Sequence, residues 1–113
     1  MKIPKRINIL GHPVSIYHRA RPIEIADEEQ ALGATHILTN QIGICTKVEN
    51  DYIAESLKTE AFMHEILHHV DNKLGLDMSE DQVHGMALGM LQVIRDNRLN
   101  FLDTEDVMGK KGK

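Results

Sequence analysis

The sequence predicts an α+β fold: a small N-terminal mixed or antiparallel sheet packed on two C-terminal helices. Three observations carry that expectation. Short runs rich in β-branched residues, punctuated by Gly, Pro and Asn, fill residues 1–50. From about Ala54 to Leu74 the chain has no Gly or Pro, and its apolar residues recur near helical spacing. A second apolar-periodic stretch follows Ser79 behind a capping signature. At 113 residues the chain suffices for one core and not two, so 1–113 reads as one domain without repeats or linkers.

The elements follow in order. Ile7 and Ile9 alternate with Arg6, Asn8 and Leu10, Gly11-His12-Pro13 reads as a turn, and Val14, Ile16 and Tyr17 resume an extended run. This is a β-hairpin whose second arm closes at Arg21-Pro22. Asp27 to Leu32 reads as a short helical turn before Gly33. His36–Thr39 and Ile42–Thr46 read as two further strands around Asn40-Gln41, and Asn50-Asp51 leads into the first helix, 54–74. Leu57, Ala61, Ile66, Leu67, Val70 and Leu74 give that helix its apolar positions, and Gly75 sits where it would stop. Ser79 with Gln82 three residues on makes an S-x-x-Q capping box for the second helix, 79–97. Val83, Met86, Ala87, Met90, Leu91 and Ile94 form its apolar face, Met86 and Met90 as core filling. Leu99, Phe101 and Leu102 are expected to dock on the core before a polar tail, 103–113.

Composition excludes several classes of function. Hydrophobic residues make up 42%, and no apolar run approaches membrane-spanning length, so no membrane partner is expected. Met1 to Arg6 lacks the continuous apolar stretch of a secretory signal. The single cysteine rules out an intrachain disulfide framework and a cysteine-rich metal site; Cys45, among Ile42, Ile44 and Val48, reads as a buried structural thiol. These features together point to a cytoplasmic protein. A net charge of −4, two Tyr, two Phe and no Trp argue against a nucleic-acid partner, which would need a basic face or stacking platforms.

The chemistry concentrates in His64-Glu65-Ile66-Leu67-His68, an instance of H-E-x-x-H. Two histidines at i and i+4 project from one helix face, so their imidazoles can converge on one metal ion. The glutamate after the first histidine stands beside that face, where it can take a proton from a water at the metal. With 7 His in the chain, a shuffled sequence would hold the pattern only about 0.03 times, so chance is a poor explanation. His69 points off this face and reads as structural; the spacing of His12, His18 and His36 indicates no site.

A catalytic zinc commonly takes three protein ligands. The extended H-E-x-x-H-x-x-G-x-x-H motif is not met, because Asp71 and Leu74 occupy its Gly and last His positions. Asp71, Glu80, Asp81 and His84 remain as candidates. Asp71 shares the helical stripe of His64 and His68, and a bond orienting His68 suits it better than direct ligation. Glu80 and His84 lie four apart at the start of the second helix, which can fold back across the short connection Gly75 to Met78.

HEILHH followed by Glu80-Asp81-Gln82-Val83-His84-Gly85-Met86-Ala87-Leu88-Gly89-Met90-Leu91 resembles the ImmA/IrrE-like small zincins. Those pair H-E-x-x-H with a helix of the form E-x-[EQ]-A-N-x-F-A-x-x-L-L; small HEXXH proteins of phages and prophages look similar. The likeness covers roughly residues 55–97, with Val83 for Ala and His84 for Asn as departures, and no Leu-Met-Pro after the helix. It implies a minimal zincin-like fold with the cleft along an edge strand. It also implies Glu80 as the glutamate completing a Zn2+ site with His64 and His68.

The expected function is therefore a zinc-dependent peptidase with Glu65 as catalytic base, acting on a peptide or protein substrate. His84 is the alternative ligand, or a donor to the oxyanion of the tetrahedral intermediate. Ile42 to Thr46 is the strand expected to pair with an extended substrate. The alternative is a catalytically idle zincin-fold interaction module of the phage- or prophage-encoded kind, with a structural metal; an amidase acting on cell-wall peptides is a further rival.

Overall fold

Strand β1 (Arg6–Ile9) turns back into β2 (His12–Arg19) through Leu10 and Gly11, leaving Ile9 opposite His12. Both turn residues have positive φ, 51° and 86°, the left-handed pair that matches the twist of a tight two-residue hairpin. The turn thus lies earlier than Gly11–Pro13, since His12 and Pro13 already pair with β1. The computed structural model describes residues 2–25, 28–97 and 99; Asp27, Phe101, Leu102 and the tail 103–113 lie outside them.

Beyond the hairpin come β3 (Ile23–Ile25), β4 (Glu28–Ala31), β5 (Gly33–His36) and β6 (Gln41–Cys45). The main sheet has the order β1-β2-β6-β5, with β6 parallel to β2 and antiparallel to β5. The fold is α+β with a mixed four-stranded sheet, as the sequence predicts. β6 is interior: Ile42 and Ile44, both 0% exposed, turn to the helices, while Gly43 and Cys45 lie on the other face. On that face the Tyr17 ring crosses over Gly43, where any Cβ would collide with it, and its hydroxyl meets Nε2 of His36 at 2.7 Å. Cys45 is fully buried, as expected.

Three local expectations are corrected. The segment read as a helical turn, Asp27–Leu32, instead holds β4, antiparallel to β3; one isolated helical turn cannot recover its nucleation cost, whereas strand pairing can. The strand placed at His36–Thr39 begins at Gly33, because its register sets Gly33 opposite Ile44 and Thr35 opposite Ile42. Ile37 to Asn40 form the turn, Asn40 with φ 53°. The segment before the first helix carries a small hairpin, β7 (Lys47–Val48) with β8 (Asp51–Tyr52).

Helix α1 (Glu55–Leu74) ends where Gly75 adopts φ 64°, with the N–H of Leu76 reaching back to the Asp71 carbonyl at 3.1 Å. Helix α2 (Glu80–Asn97) starts from a reciprocal capping box. Gln82 N–H donates to Ser79 Oγ at 3.1 Å, and Ser79 N–H to Gln82 Oε1 at 2.9 Å. The core joins Val14, Ile16, Ile42 and Ile44 of the sheet to Phe62 of α1, with Ile66 and Val70 alongside. α2 attaches through Val83 and Ala87 against Leu67. That i, i+4 stripe is narrow, so Met86 and Met90 remain 48% and 40% exposed rather than filling the core. Among the described residues no helix is long and apolar enough to cross a membrane.

Candidate active site

α1 is anchored from below and open above. His69, fully buried, meets the Gln41 carbonyl through Nε2 at 3.2 Å, which pins the C-terminal half of the helix to the head of β6. Burial lowers the proton affinity of its imidazole, against the opposing effect of the Gln41 bond. The structural reading of His69 agrees with this placement. With that face fixed, His64 and His68 turn the other way, into a cleft of about 690 Å³ between β5, α1 and α2.

The two Nε2 atoms stand 3.1 Å apart. Glu80, the first residue of α2, closes the triangle: Oε1 lies 3.2 Å from His64 Nε2 and Oε2 lies 3.0 Å from His68 Nε2. Bonds of 2.0–2.1 Å from one tetrahedral ion would separate neighbouring donors by about 3.3–3.4 Å. Two imidazole nitrogens and a carboxylate are also a donor set that suits zinc. His64, His68 and Glu80 therefore suit a metal ion such as zinc in chemistry, and each imidazole nitrogen has one of the two Glu80 oxygens within 3.2 Å. They are also the one group of three or more His, Cys, Asp or Glu among the described residues whose donor atoms converge within 4.8 Å. Glu80 reaches this position because the capping box fixes where α2 begins, and a carboxylate is favoured at the positive end of a helix.

The other candidates fall outside the triangle. His84 lies one turn beyond Glu80, exposed, lining the cleft with its ring 6.0 Å from that of His64. Asp71 also borders the cleft, but its Oδ1 accepts the Met78 N–H at 3.1 Å. It ties down the α1–α2 connection instead of orienting His68. Asp81 is exposed and does not line the cleft.

Glu65 is 7% exposed, an unusual position for a carboxylate. Thr35 of β5 donates from Oγ1 to Glu65 Oε1 at 2.6 Å. Gly33, two residues earlier on the same strand face, leaves the space the side chain occupies: a Cβ there would lie 3.0 Å from Glu65 Cγ and Oε2. Burial raises the carboxyl above its ordinary proton affinity, opposed by the Thr35 bond and the nearby His64 and His68. Such a group is poised to accept a proton. Sequence reasoning missed both partners. Gly33 carried a faint signal, since a glycine inside a strand often marks close approach of another group; Thr35 carried none.

The strand beside the Glu65 carboxylate is β5, not Ile42–Thr46. β6 is hydrogen-bonded on both sides, so it has no edge to offer. β5 is the terminal strand of the main sheet. The Leu32 carbonyl accepts from Cys45 N at 2.8 Å, so by antiparallel alternation Gly33 and Thr35 turn their main-chain groups away from β6, toward the outer edge.

Compared with protein-family models, curated proteins and solved structures, the chain matches none.

Proposed function

We propose that this protein is a zinc-dependent peptidase built on an ImmA/IrrE-like zincin plan. His64, His68 and Glu80 hold the ion, and Glu65 is the catalytic base. The observation that carries the reading is the pairing of two imidazole nitrogens 3.1 Å apart, each 3.0–3.2 Å from one of the two Glu80 oxygens, with a buried carboxylate on the adjoining helix position. A purely structural site has no need of that carboxylate.

When bound, zinc would supply the electrophile, polarising the scissile carbonyl and acidifying water. The residues do the rest. Glu65 takes up the proton released as water adds to the carbonyl and delivers it to the departing amine nitrogen. Thr35 fixes one carboxylate oxygen and leaves the other for that exchange. The outward main-chain groups of Gly33 and Thr35 pair with an extended peptide by strand addition. His84 offers a donor to the developing oxyanion.

The test is elemental analysis of the purified protein beside His64→Ala and Glu80→Ala, followed by hydrolysis of an unstructured protein substrate with and without Glu65→Gln. About one zinc per chain, lost in both metal-site variants, and turnover lost in Glu65→Gln with zinc retained, are expected. Full activity in Glu65→Gln would remove the mechanism. Stoichiometric zinc without hydrolysis of any substrate would favour the interaction-module reading.

A further inference from the structure

Among the described residues, four carboxylates line the cleft and no lysine or arginine does. Glu65 and Glu80 are accounted for by the site, and Asp71 is bonded to Met78 N–H. Glu60 is left over. It lies one helical turn before His64 on the cleft side of α1, half-buried. Among the described residues, no cation and no hydrogen-bond donor pairs with it. A carboxylate beside an apolar wall, with no counter-charge of its own, is available to pair with a cation that enters the cleft.

The surroundings indicate what that cation is. Leu57, on the preceding turn of α1, and Leu88, on the facing helix α2, line the same cleft and are 45% and 37% exposed. Apolar walls leading to one carboxylate match a side chain with an aliphatic stem and a cationic head. Four residues of helix separate Glu60 from His64 by about 6 Å, or about two residues of extended chain.

Resting on the peptidase reading above, we infer that Glu60 determines specificity: the substrate is an extended peptide with lysine or arginine within two residues of the scissile bond, its stem on Leu57 and Leu88 and its charge on Glu60. The negative cleft also steers cationic segments toward the site.

Zinc-loaded protein incubated with a positionally varied library of unstructured decapeptides, with products read by mass spectrometry, tests this. Lysine and arginine should be enriched at one position within two residues of the cut. Glu60→Gln should lower kcat/KM for such peptides about tenfold, with matched norleucine peptides cut as before, and Glu60→Lys should shift the preference to glutamate. A second readout needs no turnover. Binding of lysine and norleucine peptides to Glu65→Gln, followed by fluorescence anisotropy, should favour lysine, and the advantage should shrink as salt rises. Absence of a cationic preference, or its survival in Glu60→Gln, overturns the inference. Failure to cut any peptide overturns the peptidase reading instead, and the binding comparison still decides the role of Glu60.

Discussion

The hydroxyl of Thr35 lies 2.6 Å from Oε1 of Glu65, joining the edge strand of the sheet to the motif helix. The contact orients the carboxylate and favours its charged form, against a burial that favours the neutral one. Thr35→Val should therefore lower kcat about tenfold or more. It should also move the acid limb of the pH–rate profile to higher pH, because the base must be ionised and loses the contact that holds its proton affinity down. Thr35→Ser keeps the hydroxyl and should restore both. A valine variant with an unchanged profile would leave Thr35 with packing alone.

Glu65 should weigh on the fold it serves. Burial lifts its carboxyl above the ordinary value of 4.5, so the folded chain holds that proton more firmly than the unfolded one. The resulting stability is complete below about pH 4.5 and is lost as pH rises through the higher folded value. At neutral pH the charged carboxylate opposes folding. Metal-free Glu65→Gln should accordingly melt above metal-free wild type at pH 7, with the difference fading toward pH 4. Equal melting temperatures at both pH values would show the carboxylate to be well solvated.

His69 works in the opposite sense. Burial depresses its proton affinity below the ordinary 6.5, so the unfolded chain takes the proton more readily. Its contribution is present above about pH 6.5 and is lost as pH falls through the lower folded value. His69→Gln, which keeps a donor for the Gln41 carbonyl, should flatten this part of the stability profile between pH 7 and 5. His69→Ala should cost about 2–4 kcal/mol at pH 7, from a cavity and an unpaired carbonyl. Denaturant titrations at several pH values measure both effects.

Asp71 should influence the metal without touching it. Its bond to Met78 N–H fixes the connection from which α2 departs, and Glu80 follows two residues later. Asp71→Ala should weaken zinc binding about 10-fold or more in a competition titration with a chromophoric chelator, while His64 and His68 remain in place. Unchanged affinity would mean that the capping box at Ser79 alone positions Glu80.

Local signals made much of this legible. Helical spacing placed His64 and His68 on one face, the Ser79–Gln82 box marked the start of α2, and Gly75 marked the end of α1 to the residue. What stayed hidden depends on pairing between distant segments. The Gly33–Thr35 face acquires meaning only when β5 is laid beside α1, thirty residues further along. The order β2-β6-β5 makes Ile42–Cys45 an interior strand, and no run of six residues announces which neighbour it will have. The periodicity of Met86 and Met90 is sound, yet α2 uses only part of its apolar arc because it packs on a single partner helix.

That light attachment has a mechanical consequence. The triangle draws two corners from a helix embedded against the sheet and the third from a helix seated on one stripe of Val83, Ala87 and Leu91. A metal clamped at these corners acts as a cross-link that closes the twelve-residue span from His68 to Glu80. Undocking of α2 and release of the ion are then one event seen from two sides. The rate at which a chelator strips the protein would be a clock for the motion of a helix.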